Sequence, residues 1–455
     1  MCYTTHNNEL SNVVPFKNQL MKQFFISLSL LLIVIASFAQ NKYPFQLTLE
    51  PAFMNGFAGL QSYAWAQDGD LLLLIGGRKD GLHRRQPFAA FNKQFNNTDL
   101  IVIDFKNEKV WSKSVVDLPA SIAEQLQSTN MQFYQQANQL VLIGGYGYSE
   151  TAKNHITYPA LIIIQVKELI NAITKNNNTS SFINQLNDDR MAVTGGRLNQ
   201  LNNTYFLVGG QRFTGRYNPM GPDHGPGFTQ EYTNQIRQFQ LKKNKNSISI
   251  ENYKAITDSS FHRRDYNLLM QLDKEGKEML TIFSGVFQYK KDVPFTTLID
   301  IKKDIFNEVE GFNQQFSHYH TATLPIYSKK SKTMFSIFFG GIAQYYKNDQ
   351  EEIVKDDNVP FVKSISVIER NKTTIKEYLL PEPMPGYFGA ASEFIPAKSF
   401  ITDNGMLQLD EMPNTKTLIG YIVGGIDSRA PNVFWSNEGD PSRASPVIWK
   451  VYITK

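Results

Sequence analysis

Residues 71–77 read LLLLIGG, five apolar residues closed by a glycine pair. The same ending returns as LVLIGG at Leu140–Gly145, TYFLVGG at Thr204–Gly210, SIFFGG at Ser336–Gly341 and GYIVGG at Gly420–Gly425, with a degenerate copy, TIFSG, at Thr281–Gly285. A pattern repeated at intervals of this size is the signature of an architecture built from stacked units. Five of the six copies are preceded by a short strand pattern: Tyr63–Trp65, Met131–Tyr134, Tyr266–Met270, His320–Leu324 and Phe388–Phe394. Each is followed by a loop and then an alternating strand: DLIVIDF from Asp99, ALIIIQV from Ala160, NQIRQFQL from Asn234, TTLIDI from Thr297, SISVIE from Ser364 and PVIWKVYI from Pro446. A fourth strand fits at Lys109–Val115, Ser247–Tyr253 and Thr374–Leu379. Four antiparallel strands per unit, six times over, predict an all-β propeller of six blades, with seven as the alternative count. A glycine pair suits a tight strand exit that passes close to the neighbouring blade, because glycine tolerates positive φ and close approach. Gly195-Gly196 stands off this phase and reads as an ordinary turn.

The phased pairs, the Asn97-Thr98-Asp99 step, LIVIDF and Trp111 of the first unit, and His320-Thr321-Ala322-Thr323-Leu324 of the fifth resemble a Kelch-repeat β-propeller of the galactose oxidase central-domain type. The resemblance covers about 43–455. It departs from the family in the single glycine of the fourth unit, in a terminal Trp kept only in the first, and in repeats longer than usual. The chain stops after the sixth unit's third strand, so Tyr43–Glu50 is expected to pair with Pro446–Thr454 and close the ring. Closure of this kind removes a sheet edge.

Lys22, the apolar run from Phe24 and Ser37-Phe38-Ala39 form a secretory signal pattern, with cleavage expected before Gln40. The run is short for a membrane span. Residues 1–39 are therefore read as an N-terminal extension plus signal peptide, with Met21 an alternative start, and 40–455 as a single propeller domain without a membrane span, in the periplasm or secreted. Cys2 is the one cysteine, so disulfides and thiolate metal sites are excluded. The copper-radical chemistry found in some proteins of this resemblance needs a Cys, which the mature chain lacks. The formal charge of +4 becomes +3 when Lys17, Lys22 and Glu9 are removed, too small to argue for nucleic acid.

The loops after the glycine pairs carry most of the extra length, and loops on a rigid scaffold are where binding concentrates. Arg78, Arg84, Arg212, Arg216 and Arg429 offer bidentate donors for carboxylate or phosphate. Tyr146, Tyr148, Tyr217 and Trp435 offer faces for sugars, and His224 lies in the Gly/Pro-rich MGPDHGPG loop. Arg78, Arg212 and Arg429 are expected to meet at the channel mouth. Arg263-Arg264-Asp265 reads either as a channel lining or as a surface ion pair. His318-x-His320 would put two imidazoles on one side of a strand, but His320 coincides with the Kelch first-strand His, so no metal is assigned and no cofactor is implied. Walker, HExxH and GxSxG motifs are absent from the sequence. The expected activity is that of a monomeric, exported binding module for a glycan, small anionic ligand or partner protein. The alternative is a periplasmic sugar mutarotase or epimerase resembling the sialic-acid mutarotases among Kelch propellers.

Overall fold

The computed structural model describes Met1 and residues 43–220, 227–244, 247–397, 399–402, 404–435 and 441–455. The signal pattern and His224 lie outside these residues. The chain divides into two units, Leu47–Ile453, and Met1–Gln46 with Thr454–Lys455. Of the second, only Met1 and residues 43–46 and 454–455 are described.

Leu47–Ile453 is a β-propeller. Six sheets share one design of four antiparallel strands, in chain order in five of them and completed in the sixth by the first described strand, the inner strands being Ala64–Asp68, Gln132–Gln136, Arg197–Leu201, Asn267–Leu272, Ala322–Ser328 and Ser392–Pro396. Each inner strand pairs with the strand of its glycine pair; in the first blade Leu73 stands opposite Ala66 on one side and Val102 on the other. The outermost strand of the sixth blade is Gln46–Ala52, beside Ile448–Thr454. It starts three residues later than expected and carries Pro51 on a sheet edge, where a missing N–H costs no ladder bond. The fifth blade gains a short parallel strand, Leu407–Gln408, against its inner strand.

The unbroken apolar run of LLLLI follows from burial on both faces. Side chains alternate across a strand. Leu73 and Ile75 therefore enter the core shared with the second blade, while Leu72 and Leu74 enter the core shared with the sixth. Val166–Thr174 forms a helix that the strand reading did not foresee. Its Val166, Leu169, Ile170 and Ile173 recur at helical spacing and pack into the core of the first two blades.

The glycine pairs are inter-blade joints. The second glycine's N–H donates to the next blade: Gly77 to Ser128 O, Gly145 to Val193 O, Gly210 to Arg263 O, Gly341 to Phe388 O and Gly425 to Leu60 O, all at 2.8–2.9 Å. The last of these joins sixth blade to first. Ser284, at φ 55, replaces the first glycine in the fourth blade.

A second circuit runs inside the ring. Ser62, Asn130, Gly195, Asp265, His320 and Ala391 all have φ between 44 and 66 and each precedes an inner strand by one or two residues. Ser62 N–H donates to Ala391 O, Asn130 N–H to Ser62 O, Asp265 N–H to Gly195 O and Ala391 N–H to His320 O. The Thr194 hydroxyl donates to Asn130 O, and His320 Nδ1 stands 3.8 Å from Asp265 Oδ1. Main-chain hydrogen bonds thus make four of the six links, and the Thr194 hydroxyl makes a fifth. Gly195 is therefore the third blade's member of this ring and not an ordinary turn. His318 and His320 likewise precede the strand that was expected to carry them. His318 is buried, with Nδ1 bonded to Gly340 O at 2.5 Å.

Candidate functional site

The residue just before each ring position bridges the residue just after each glycine pair: Gln61 with Arg78, Thr129 with Tyr146, Thr194 with Gln211, Arg264 with Val286 and Tyr319 with Ile342. In the sixth blade Ile426 N–H donates to Ala390 O. All twelve residues line one central cavity of about 870 Å³. This wall is fixed by backbone geometry on six blades. The loops above it add a second storey. After their glycine pairs the second and third blades form a sheet of their own, from Tyr146–Ser149, Asn154–Thr157, Gln211–Thr214 and Thr229–Tyr232, so these segments are ordered strands.

Two cations stand among the twelve wall residues, Arg78 and Arg264. Arg78 is spent on its own blade. Its Nε and Nη2 donate to Asp80 at 2.8 and 2.6 Å, and its Nη1 donates to Asn96 Oδ1 at 2.9 Å. Arg264 is different. Its side chain is only 12% exposed, its ion pair with Asp265 is long at 3.9 Å, and its Nε has no hydrogen-bond partner among the described residues. The guanidinium lies over the Phe287 ring at 5.1 Å. Burial works against its charge, yet the Tyr232 and Tyr217 phenols and Asp265 hold its proton more firmly than usual. Burial raises the Asp265 carboxyl above the ordinary carboxylate range, opposed by Arg264 and Arg197. Enclosure also pushes His83 down to about 4 and His320 to about 3, and lowers His262, each with an arginine nearby; these imidazoles are neutral at pH 7. The Nδ1 atoms of His83 and His262 are buried without a hydrogen-bond partner among the described residues and belong to residues that line the cavity.

Aromatic rings complete the walls. His262 is stacked between Tyr232 at 3.7 Å and Tyr289 at 3.9 Å. His83 packs on Phe91, Tyr217 and Phe434. The Tyr146 hydroxyl donates to Gly215 O and accepts from Tyr217 N–H, both at 2.8 Å, which anchors the third-blade loop. Below the cavity the channel narrows to a space of about 20 Å³ lined in part by Asp265, His320, Arg197 and Glu393. There Arg197 of the third blade meets Glu393 of the sixth at 3.2 Å.

Of the residues singled out in the sequence, Arg78, Tyr146, Tyr217 and Trp435 line the cavity. Arg84, Tyr148, Arg212, Arg216 and Arg429 are not among the lining residues. Arg212 follows the inward Gln211 by one residue, so strand alternation turns it outward to Asp189 at 3.4 Å. Arg216 donates to Phe88 O at 2.6 Å, Tyr148 supports Lys93 at 4.9 Å, and Arg429, three residues beyond Ile426, is exposed. The expected meeting of Arg78, Arg212 and Arg429 therefore does not occur. Of the two readings of Arg263-Arg264-Asp265, the channel lining is observed for Arg264 and Asp265, whereas Arg263 is buried away from the cavity and donates to Ser284 O and Thr297 O. The signal for Arg264 was its place directly before a ring residue, which shows only once the ring is seen. Among the described residues no group of three or more His, Cys, Asp or Glu side chains is arranged to hold a metal ion. No described helix is long and apolar enough to cross a membrane.

Fold and cavity together define a β-propeller with a central cavity whose wall carries two buried guanidinium groups, one of them held by Asp80. In fold, the chain is similar to the solved structure titled "Structure of YjhT", at a TM-score of 0.46 and 11% sequence identity, over 87% of this chain and 98% of that one. No family model matches the chain, and no curated protein matches its sequence.

Proposed function

We propose that this protein is an exported, six-bladed Kelch-type propeller that binds a small carboxylate-bearing sugar in its central cavity, with Arg264 as the anion-binding residue. The observation that carries the reading is the inner wall. Of its twelve residues two are cationic; Asp80 holds one at 2.6 Å, whereas Arg264, bonded to the Tyr217 and Tyr232 phenols and 3.9 Å from Asp265, keeps an Nε with no hydrogen-bond partner among the described residues. Neutral His83 and His262 and the amides of Gln61, Gln211 and Gln230 suit hydroxyl groups, and the rings suit a sugar face. Calorimetric titration with glucuronate against glucose tests the reading, since the two differ only by a carboxylate in place of CH2OH. Glucuronate should bind and glucose should not, and Arg264→Gln should remove the difference. Equal binding of both sugars would sink it. Export is tested by the mass of the mature protein, which should begin at Gln40.

A second reading, a sugar mutarotase or epimerase, is favoured by Asp265. A carboxyl raised by burial, 3.8 Å from His320 and beside the anion-binding arginine, is placed to move a proton. Exchange of glucuronate anomers followed by NMR should then run faster with the protein than in buffer, and Asp265→Asn should abolish the excess. No excess rate leaves the binding reading alone.

A further inference from the structure

We infer that the cavity receives the end of a longer saccharide, its acidic terminal unit at Arg264 and its following units over the rim; this rests on the anionic-sugar reading above. Three observations lead there. First, the chamber has one mouth. Arg197 and Glu393 join across the channel from opposite blades at 3.2 Å, and the space they share with the cavity residues Asp265 and His320, about 20 Å³, has room for about one water, with a separate space of about 100 Å³ also lined by the pair. A chain can enter by an end but cannot thread. Second, about 870 Å³ lies at the upper end of the range for small-ligand sites, more than a single sugar ring fills. Third, two large rings at the mouth stay more than half exposed although both are held in place. Tyr289 is 58% exposed and sits on the His262–Tyr232 stack at 3.9 Å. Trp435 is 52% exposed, with the Arg85 guanidinium 4.3 Å from its ring and Phe434 against it edge-on. Single exposed apolar residues are common. Two preorganised aromatic faces on the lip of one chamber are what sugar units beyond the first would stack on.

A peptide with a free C-terminus shares the carboxylate. The polar lining, however, consists mainly of amides and neutral imidazoles, and the rim supplies flat rings, which favours a hydroxyl-rich chain.

The test is titration of the full-length mature protein with glucuronate, galacturonate and N-acetylneuraminate, each free and as the terminal unit of a di- and a trisaccharide. Trisaccharides of the same sugars with the carboxylate on the middle unit only, and the tripeptide Gly-Phe-Tyr, complete the panel. The trisaccharide of the preferred acid should bind about tenfold or more tighter than the free acid. In Tyr289→Ala and Trp435→Ala that ratio should fall by about three- to tenfold each, with thermal melts confirming the fold. Affinity that does not grow with chain length, or equal binding of the internal acid, overturns the chain-end inference and leaves the anionic-sugar reading standing. Binding of the tripeptide in place of the saccharides overturns the choice of ligand. If no acid binds, both inferences fall.

Discussion

Arg197 on the third blade and Glu393 on the sixth meet across the channel at 3.2 Å, each about one-fifth exposed. They lie on opposite sides of the ring, so their pair ties two blades that share no sheet. Arg197 Nε also donates to Tyr266 O at 3.2 Å, which ties in the fourth blade. Removing one partner strands the other in an enclosed place, whereas replacing both with apolar side chains leaves no charge of the pair unpaired.

Glu393→Ala should therefore lower unfolding free energy by about 2–4 kcal/mol. The double variant Arg197→Met, Glu393→Leu should recover most of that loss. Urea denaturation of the single and double variants measures both. A single variant within about 0.5 kcal/mol of wild type would show the pair to be incidental.

The glycine pairs allow a sharper comparison. A Cβ at Gly144 would lie 1.9 Å from the Val193 carbonyl oxygen, at φ +64. In the fourth blade Ser284 occupies the matching place at φ 55, and its hydroxyl is buried without a partner. Gly144→Ala should cost roughly 3 kcal/mol or more, from positive φ and the backbone clash together. Ser284→Gly should be neutral or stabilising by about 1 kcal/mol, because it relieves the same φ and removes an unsatisfied buried hydroxyl. Thermal melts of the two variants shifting in the same direction would contradict this account of the joint.

These joints explain what was legible in the sequence. Five pairs in phase gave the propeller, because the demand for no Cβ is written in the residue itself. The inner ring left no such mark. Its members, Ser62, Asn130, Gly195, Asp265, His320 and Ala391, share a backbone angle and a hydrogen-bond circuit, but no residue type. The residues ahead of them were therefore not recognisable as one cavity wall, and Arg264 was legible only as a channel lining or, equally, a surface ion pair. The post-glycine arginines were visible, yet inward or outward direction depends on a one-residue phase. That phase separates inward Gln211 from outward Arg212.

Glu377 gives a pH prediction. Its carboxylate accepts the N–H groups of Gln315 at 2.6 Å and Phe316 at 3.2 Å, pinning the segment that leads from the fourth blade to the fifth. Burial pushes its carboxyl up to about 8, against these two hydrogen bonds. A folded value above the unfolded one of about 4.3 means the native state holds the proton more tightly. The group's contribution is thus fully present below about pH 4.3 and is lost as pH rises toward about 8. Glu377→Gln cannot ionise, so the variant should gain stability relative to wild type between about pH 4.5 and 8. Melting temperatures of the pair across that range check it, and a constant difference would refute the assignment.

The decisive contrast for the site is between Arg264 and the loop arginines. Arg264 is enclosed, its Nε lacks a partner, and its place on the inner wall is set by the backbone bridge to Val286. Arg212 is held by Asp189 on the outer side of its strand, and Arg429 is exposed. A charge-assisted hydrogen bond to a ligand carboxylate contributes about 1.5–3 kcal/mol, or roughly 10- to 150-fold in affinity. Arg264→Gln should therefore weaken glucuronate binding by about that factor. Because Tyr217, Tyr232 and Asp265 favour that charge in the folded state, the variant's melting temperature should fall somewhat below wild type with the fold retained. Arg212→Ala and Arg429→Ala should stay within about twofold of wild type, because exposed charges beyond the cavity act only through screened, long-range attraction. Titrations of the three variants at 50 and 300 mM salt separate the two effects: the Arg264 loss should persist at high salt, and any loop-arginine effect should vanish. An Arg429→Ala loss as large as that of Arg264→Gln, persisting at 300 mM, would move the binding site out of the cavity and onto the loop face.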